Sequence, residues 1–335
     1  MIVHVLNLAG IEADYMVGAQ LEGFEVMVRL TKTAKYIVLE GDEYPTSPID
    51  KRSKFRHYHP HIAVLSGIAW DHVDEFPTFN EYLDQFRFFI QSIEPGGCLF
   101  YHQDDVELVL LVSNASLEKV AYSAHPHEVE LGITKIRHNA GNSVNLKIFG
   151  LHNMANLAAA QLVCQKLGVK DDAFFQAIST FKGASKRLEL LAAYRDSFIY
   201  RDFAHAPSKV KATVSALRMQ YPAHRLIICL ELQCYTSMCE TMIDQYKGTL
   251  DQADDAIVFY DPKAAVYKKI PVMSFNRIKT GFDKNDLRIF SENDRMLVYL
   301  HSLAKDQFIL AFLTCGRFGG LDIPAVASEF QPIEV

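Results

Sequence analysis

The chain has 335 residues, 49% apolar and 11% aromatic, which is enough to fill one or two ordinary cores and too apolar for a disordered polymer. Its 34 Lys and Arg against 40 Asp and Glu leave a net charge of −6, which excludes the broad basic footprint of a general nucleic-acid binder, so an anionic partner must be gripped locally. No apolar run approaches the roughly 20 residues of a membrane helix, no basic and apolar leader opens the chain, and the six cysteines are scattered without a C-x-x-C pair, so a cytoplasmic protein of two compact domains is expected.

Apolar residues at 2, 5, 6 and 9, closing on Gly10, predict a short amphipathic helix entered directly at Met1. Apolar clusters at 36–39, 62–65 and 98–101 predict buried strands of a mostly parallel sheet. Between the last two, Phe79, Tyr82, Leu83, Phe86, Phe89 and Ile90 recur at helical spacing and predict a crossover helix within 77–93. From 120 to 151, alternating stretches punctuated by Gly132, Gly141 and Gly150 predict an antiparallel meander, followed by helices over 153–167 and 173–181. After Arg187 the alternation restarts, with strands expected over 198–202, 225–230, 256–260 and 308–314 and helices over 208–219, 240–252, 294–305 and 323–330. The expectation is an α/β chain: a domain over 1–188 with a mostly parallel sheet, then a Rossmann-like domain over 189–335, the boundary lying near 187–193.

Polar groups cluster at the ends of these elements. Glu40-Gly41-Asp42-Glu43-Tyr44 follows a strand at the edge where open α/β sheets place ligands, and its carboxylates suit Mg²⁺ beside phosphate; a solvated acidic turn would look the same. Trp70-Asp71-His72-Val73-Asp74 offers an imidazole between carboxylates, or ordinary loop polarity, and parallel neighbouring strands would bring it to the edge that holds Glu40. In Gly150-Leu151-His152-Asn153-Met154-Ala155-Asn156, an Asn at a helix start presents the donor and acceptor that the edge of adenine requires, or simply caps the helix. The boundary segment from Phe181 to Glu189 carries Lys182, Lys186 and Arg187, cations for phosphate or a basic hinge. Asp202-Phe203-Ala204-His205-Ala206-Pro207 sets a ribose-binding carboxylate, or a plain turn, before a helix, and Gly316, Gly319 and Gly320 allow close backbone approach to an anion or peptide. The histidines at 57, 59 and 61 lack a completing ligand and are broken by Pro60, so zinc is not expected there. Lys51, Arg52, Lys54 and Arg56 form either a solvated run or an anionic-substrate strip.

In this order the motifs resemble the Mur ligase superfamily, which includes folylpolyglutamate synthetases, and 40–44 leading through 50–55 looks like its murein peptide ligase branch. The resemblance implies an ATP- and Mg²⁺-dependent amide ligase of peptidoglycan recycling, joining UDP-N-acetylmuramate to the tripeptide L-Ala-γ-D-Glu-meso-diaminopimelate through an acyl phosphate. It implies Glu40 and His72 as Mg²⁺ ligands, Arg187 at the terminal phosphate, Asn153 on adenine with His152 and Asn156 in support, and Asp202 on ribose. Arg52, Lys54, His205, Gly319 and Gly320 are candidate substrate contacts.

The chain also departs from the pattern. No G-x-x-x-x-G-K-[ST] occurs in it, whereas the family carries G-T-x-G-K-T just before a helix resembling residues 1–9. The family's preceding UDP-binding domain has no counterpart, and residues 82–93 lack the lysine that some members carbamoylate, Arg87 lying nearest. The expectation is therefore a ligase impaired without that loop, or completed by a preceding segment or a partner chain; the alternative is an inactive homologue that binds nucleotide or muropeptide.

Overall fold

The computed structural model describes residues 1–18, 26–138, 142–305 and 307–330; Gly141 lies outside the described residues. The chain divides into two units, Met1–Ala184 and Ser185–Val335. The opening apolar run is helix α1 (Ile2–Leu8), which ends where the N–H groups of Gly10 (φ +71°) and Ile11 return to the carbonyls of Asn7 and Leu6. Val5 and Leu6 of this helix are fully buried against Met154, Leu157 and Phe174, so α1 belongs to the core of the first unit.

Strand β1 (Ala13–Met16), which the sequence did not announce, pairs antiparallel with β2 (Val28–Arg29) and parallel with β3 (Tyr36–Leu39). A second, all-parallel sheet joins β4 (Ile62–Leu65), β5 (Cys98–His102) and β6 (Glu118–Tyr122). Helix α2 (Phe79–Gln91) connects β4 to β5, its start fixed by a capping box in which Thr78 and Glu81 each accept from the other's backbone N–H. Helix α3 (Val106–Ser113) connects β5 to β6. It was not foreseen because its run Val-Glu-Leu-Val-Leu-Leu-Val is apolar nearly all round and shows no helical stripe. That crossover makes β6 parallel to β5, so the meander is confined to β7 (His127–Glu130), β8 (Ile133–His138) and β9 (Asn142–Leu146). Helices α4 (Leu151–Lys166) and α5 (Asp171–Ile178) complete the unit. Contrary to expectation, β3 and β4 are not sheet neighbours: the described strands of this unit fall into three three-stranded sheets.

The second unit is a six-stranded sheet in the order β10-β11-β15-β12-β13-β14. Its strands are β10 (Glu189–Tyr194), β11 (Ser197–Asp202), β12 (Arg225–Glu231), β13 (Asp255–Phe259), β14 (Arg288–Phe290) and β15 (Phe308–Leu313), parallel except for the β10–β11 hairpin. All six residues of β15 are buried, as a strand covered on both faces requires. The helices are α6 (Pro207–Gln220), α7 (Tyr235–Met238), α8 (Pro262–Tyr267), α9 (Phe275–Phe282), α10 (Asn293–Leu303) and α11 (Ile323–Glu329). The helix expected over 240–252 is instead a 3₁₀ turn, Ile243–Tyr246, because Gly248 at φ +74° turns the chain out of helical geometry. Among the described residues no helix is long and apolar enough to cross a membrane.

Thr78→Ala removes the capping-box acceptor and is expected to cost about 1 kcal/mol of the stability of the first unit. A urea unfolding curve followed by helix signal measures it; an unchanged midpoint would show that the box contributes nothing.

Candidate functional site

In the first unit, β1 and β3 run parallel, so Gly18 and Glu40 leave the sheet at the same end. The Glu40 N–H donates to the Met16 carbonyl (2.8 Å), and the Glu40 carboxylate accepts the Gly18 N–H. Glu43 and Tyr44 meet His72 from the 70–74 loop: the Tyr44 hydroxyl lies 2.5 Å from His72 Nδ1, and His72 Nε2 lies 3.4 Å from Glu43 Oε1. The Tyr82 hydroxyl of α2 donates to the same Glu43 oxygen (3.2 Å). His72 adopts φ +56°, a left-handed conformation that costs a β-carbon-bearing residue about 1 kcal/mol, and buried Asp71 holds it there by accepting the His72 N–H (2.9 Å). Burial, then the surrounding carboxylates, push both the Tyr44 and Tyr82 hydroxyls well above the usual phenol range, so each remains a donor at neutral pH.

The sequence paired His72 with Glu40; the structure pairs it with Glu43, while Glu40 turns to Gly18. Among the described residues no group of three or more His, Cys, Asp or Glu is placed to hold a metal ion. Glu43 and Asp71 stand around His72, whereas the Glu40 carboxylate is turned to Gly18. The basic strip is largely neutralised. Arg52 forks onto Asp50 (2.9 and 2.6 Å), Lys54 pairs with Asp42 (2.7 Å), and the Arg56 guanidinium lies 3.9 Å over the Phe88 ring. The Arg52 hydrogen bonds hold the Asp50 carboxyl well below the usual carboxylate range.

Helix α4 starts at Gly150, whose φ of +90° lets the chain turn into the helix. His152 and Asn153 are half-buried in its first turn, and Asn156 is exposed one turn on. Asn153 donates one amide hydrogen to the Phe149 carbonyl (2.9 Å), a bond that orients the carboxamide and uses neither its second hydrogen nor its oxygen.

In the second unit Arg187 is exposed between two residues of positive φ, Lys186 (+58°) and Leu188 (+42°), with its guanidinium 5.1 Å over the Phe203 ring. Asp202 is buried at the end of β11, where its Oδ2 accepts from the Thr213 hydroxyl (2.7 Å). His205 is buried too, its Nδ1 within 2.8 Å of the Phe203 carbonyl and its own carbonyl accepting from Tyr246. The turn carrying Gly319 (φ +69°) and Gly320 (φ +105°) hangs on a residue that the sequence reading passed over, Glu231. Only 1% exposed, its carboxylate accepts from the Thr314 hydroxyl and lies beside the N–H groups of Phe318 and Gly319, and burial raises its carboxyl above the usual range. A β-carbon on Gly316 would come within 2.6 Å of Glu231 Oε2, so only glycine fits beside it. The available signal was a charged residue closing the apolar run 226–230. A cavity of about 390 Å³, lined among others by Lys186, Phe203, Arg317 and Gly320, opens beside this turn.

Residues 16–164 match the Mur ligase middle domain, the segment that carries Glu40, His72 and Asn153. Over that segment the chain is similar to the Mur ligases. The chain is 25% identical to the UDP-N-acetylmuramate–L-alanyl-gamma-D-glutamyl-meso-2,6-diaminoheptandioate ligase of Haemophilus influenzae, over 96% of its own length and 71% of that protein. It is 29% identical to the UDP-N-acetylmuramate–L-alanine ligase of Caldicellulosiruptor bescii, over 77% of its length and 57% of the relative. Its fold is that of the murein peptide ligase crystal structure from Psychrobacter arcticus, with a TM-score of 0.67 at 20% identity, covering 100% of this chain and 75% of that one.

Glu231 gives a pH test. Its carboxyl is raised from 4.5 in the folded state, so the folded chain holds this proton more tightly than the unfolded chain does. The stability due to Glu231 is therefore present below 4.5 and declines as pH rises through the raised value. The stability difference between the native chain and Glu231→Gln, from urea unfolding at a series of pH values, should favour the native chain less as pH rises through that window. A flat difference would show that Glu231 titrates normally.

Proposed function

We propose that this chain carries the nucleotide-handling and peptide-handling parts of a cytoplasmic ATP-dependent amide ligase, of the branch that joins UDP-N-acetylmuramate to L-Ala-γ-D-Glu-meso-diaminopimelate. The observation that carries this reading is the placement of the ordered motifs: the acidic turn after β3, the His72 loop after β4, the Asn pair at the start of α4 and Asp202 at the end of β11 all lie at strand ends or a helix start. In the proposed reaction a muramate carboxylate oxygen takes the terminal phosphoryl group of ATP, releasing ADP. The peptide amine then attacks the acyl carbon, phosphate leaves with the C–O bond, and the nitrogen gives up a proton as the amide forms.

The chain's own groups divide this work. Asn153 offers its remaining hydrogen and its oxygen to the donor and acceptor edge of adenine, with His152 and Asn156 shaping the same turn. Asp202, oriented by Thr213, offers its other oxygen to the ribose hydroxyls. Arg187, resting on an aromatic face and in no ion pair among the described residues, keeps its guanidinium hydrogens for a phosphate oxygen. Glu40 and His72 would hold Mg²⁺, which when bound neutralises charge on the phosphate oxygens. To do so Glu40 can use the carboxylate oxygen that does not accept from Gly18, whereas His72 must release Tyr44 or Glu43. Arg52 and Lys54 would meet an anionic substrate only by sharing it with Asp50 and Asp42, whereas His205, Gly319 and Gly320 would contact the peptide substrate.

One feature favours a second reading, binding without turnover: none of the 335 residues forms a G-x-x-x-x-G-K-[ST] phosphate loop. Phosphate release from ATP with UDP-N-acetylmuramate and the tripeptide separates the two. The ligase reading expects slow but substrate-dependent release; release that ignores both substrates, or none beside measurable ADP binding, favours the binding protein.

For the sites, calorimetric titration with ADP and Mg²⁺ should show Asn153→Ala binding about tenfold more weakly, the worth of one hydrogen bond. Equal affinity would remove Asn153 from the adenine site. Glu40→Ala and His72→Ala should each reduce the gain in affinity that Mg²⁺ confers, and an unchanged gain would clear them of metal binding.

A further inference from the structure

Two thiols stand together at the edge of the second sheet with no part in the chemistry above. Strands β12 and β15 are parallel neighbours, with Leu230 registered against Leu313, and the segments that leave them carry Cys234 and Cys315. The two segments touch, a β-carbon on Gly316 coming within 2.7 Å of Gln233 Cγ, which sets the thiols of Cys234 and Cys315 side by side, and both are half-buried, open enough for a small oxidant. Cys234 also accepts the Ser237 N–H (3.3 Å) and faces His205, whereas Cys315 sits beside Glu231 and Lys268. The adjoining Cys315 thiol holds the Cys234 thiol below the usual thiol range, while the same contact together with burial pushes Cys315 up. The pair is thus asymmetric, one sulfur primed as nucleophile and its neighbour protonated beside it. The remaining cysteines differ: Cys98, Cys164 and Cys229 are buried, and Cys239 faces Thr241.

We propose that Cys234 and Cys315 are a peroxide-sensitive thiol pair that closes reversibly to a disulfide, tying together the segments that leave β12 and β15. The Cys234 thiolate attacks one oxygen of hydrogen peroxide; the O–O bond breaks, the departing hydroxide takes a proton as water, and Cys234 becomes a sulfenic acid. The Cys315 sulfur then attacks the Cys234 sulfur, the S–O bond breaks, and the hydroxyl leaves with the Cys315 proton as a second water. Two electrons pass from the sulfurs to the peroxide, and a cellular dithiol reverses the change, as expected of a cytosolic disulfide that senses rather than builds. Cys315 opens the 315–320 turn, which Glu231 fixes from the other side. Closure therefore locks that turn to the 233–234 segment. That this would alter substrate handling rests on the reading in the preceding section; the disulfide itself does not.

The test treats the full chain with one equivalent of hydrogen peroxide, blocks free thiols with iodoacetamide, and maps non-reduced peptides by mass spectrometry. A Cys234–Cys315 linked peptide, two hydrogens lighter than its separate halves and released by dithiothreitol, is expected. Cys315→Ser should instead leave a sulfenic acid on Cys234, trapped by dimedone, and Cys239→Ser should leave the link unchanged. Equal alkylation of Cys234 and Cys315 with and without peroxide, or a link through Cys239, overturns the proposal, and this readout on the native chain needs no variant to fold. A disulfide that forms in a chain unable to bind ADP counts against the ligase reading alone. ADP binding with no disulfide counts against the thiol pair alone.

Discussion

A chain that leaves a parallel strand must turn sharply while its backbone N–H groups lose their sheet partners, and an unpaired buried donor costs about 1–3 kcal/mol. In both units a carboxylate meets this demand. Glu40 accepts from Gly18 where β1 and β3 end; Asp105 accepts from Ile68 after β4 and from Leu108 at the start of α3; Glu231 accepts from the Thr314 hydroxyl after β15 and lies beside the Phe318 and Gly319 N–H groups. The acidic residues that mark the strand ends are therefore structural first. Any anion-and-metal chemistry at these ends has to borrow groups that already hold the backbone.

This constraint shapes the reactivity of the His72 cluster. The imidazole is held by Asp71 through the backbone and by Tyr44 and Glu43 through its ring, so its orientation is set before any ligand arrives. Two phenols kept protonated by burial surround a carboxylate that would otherwise repel its neighbours. The same economy appears in the basic strip, where Asp50 and Asp42 occupy Arg52 and Lys54. Arg187 is the contrast: exposed, stacked on Phe203 and set between two left-handed residues, it is positioned without a carboxylate partner among its described contacts.

Much of this was legible in the residues. The strands at 36–39 and 62–65 and the helix starting after Thr78 follow from apolar periodicity and capping chemistry, both local signals. What escaped depended on distant partners or on patterns without contrast. The run in α3 is apolar at nearly every position, so its crossover role and the parallel pairing of β6 were hidden. The 240–252 segment has apolar residues at plausible spacing, and Gly248 with its positive φ decides against a helix there. Within the site, the motif residues were visible but their pairings were not. Glu40 and Glu43 are equivalent by composition, and only the fold shows that Glu43 meets His72 while Glu40 serves Gly18. Glu231 and the Cys234–Cys315 pair depend on the register of β12 against β15, which no single segment encodes.

The central claim is that the polar edge of the first unit is a nucleotide site whose structural carboxylate can be recruited to chemistry. A crystal structure of the chain grown with ADP and Mg²⁺ tests it most directly. The account predicts the adenine edge on Asn153 and a Glu40 carboxylate oxygen on the phosphate-bound cation. Nucleotide bound elsewhere, with no cation at Glu40 and His72 still on Tyr44 and Glu43, would contradict it.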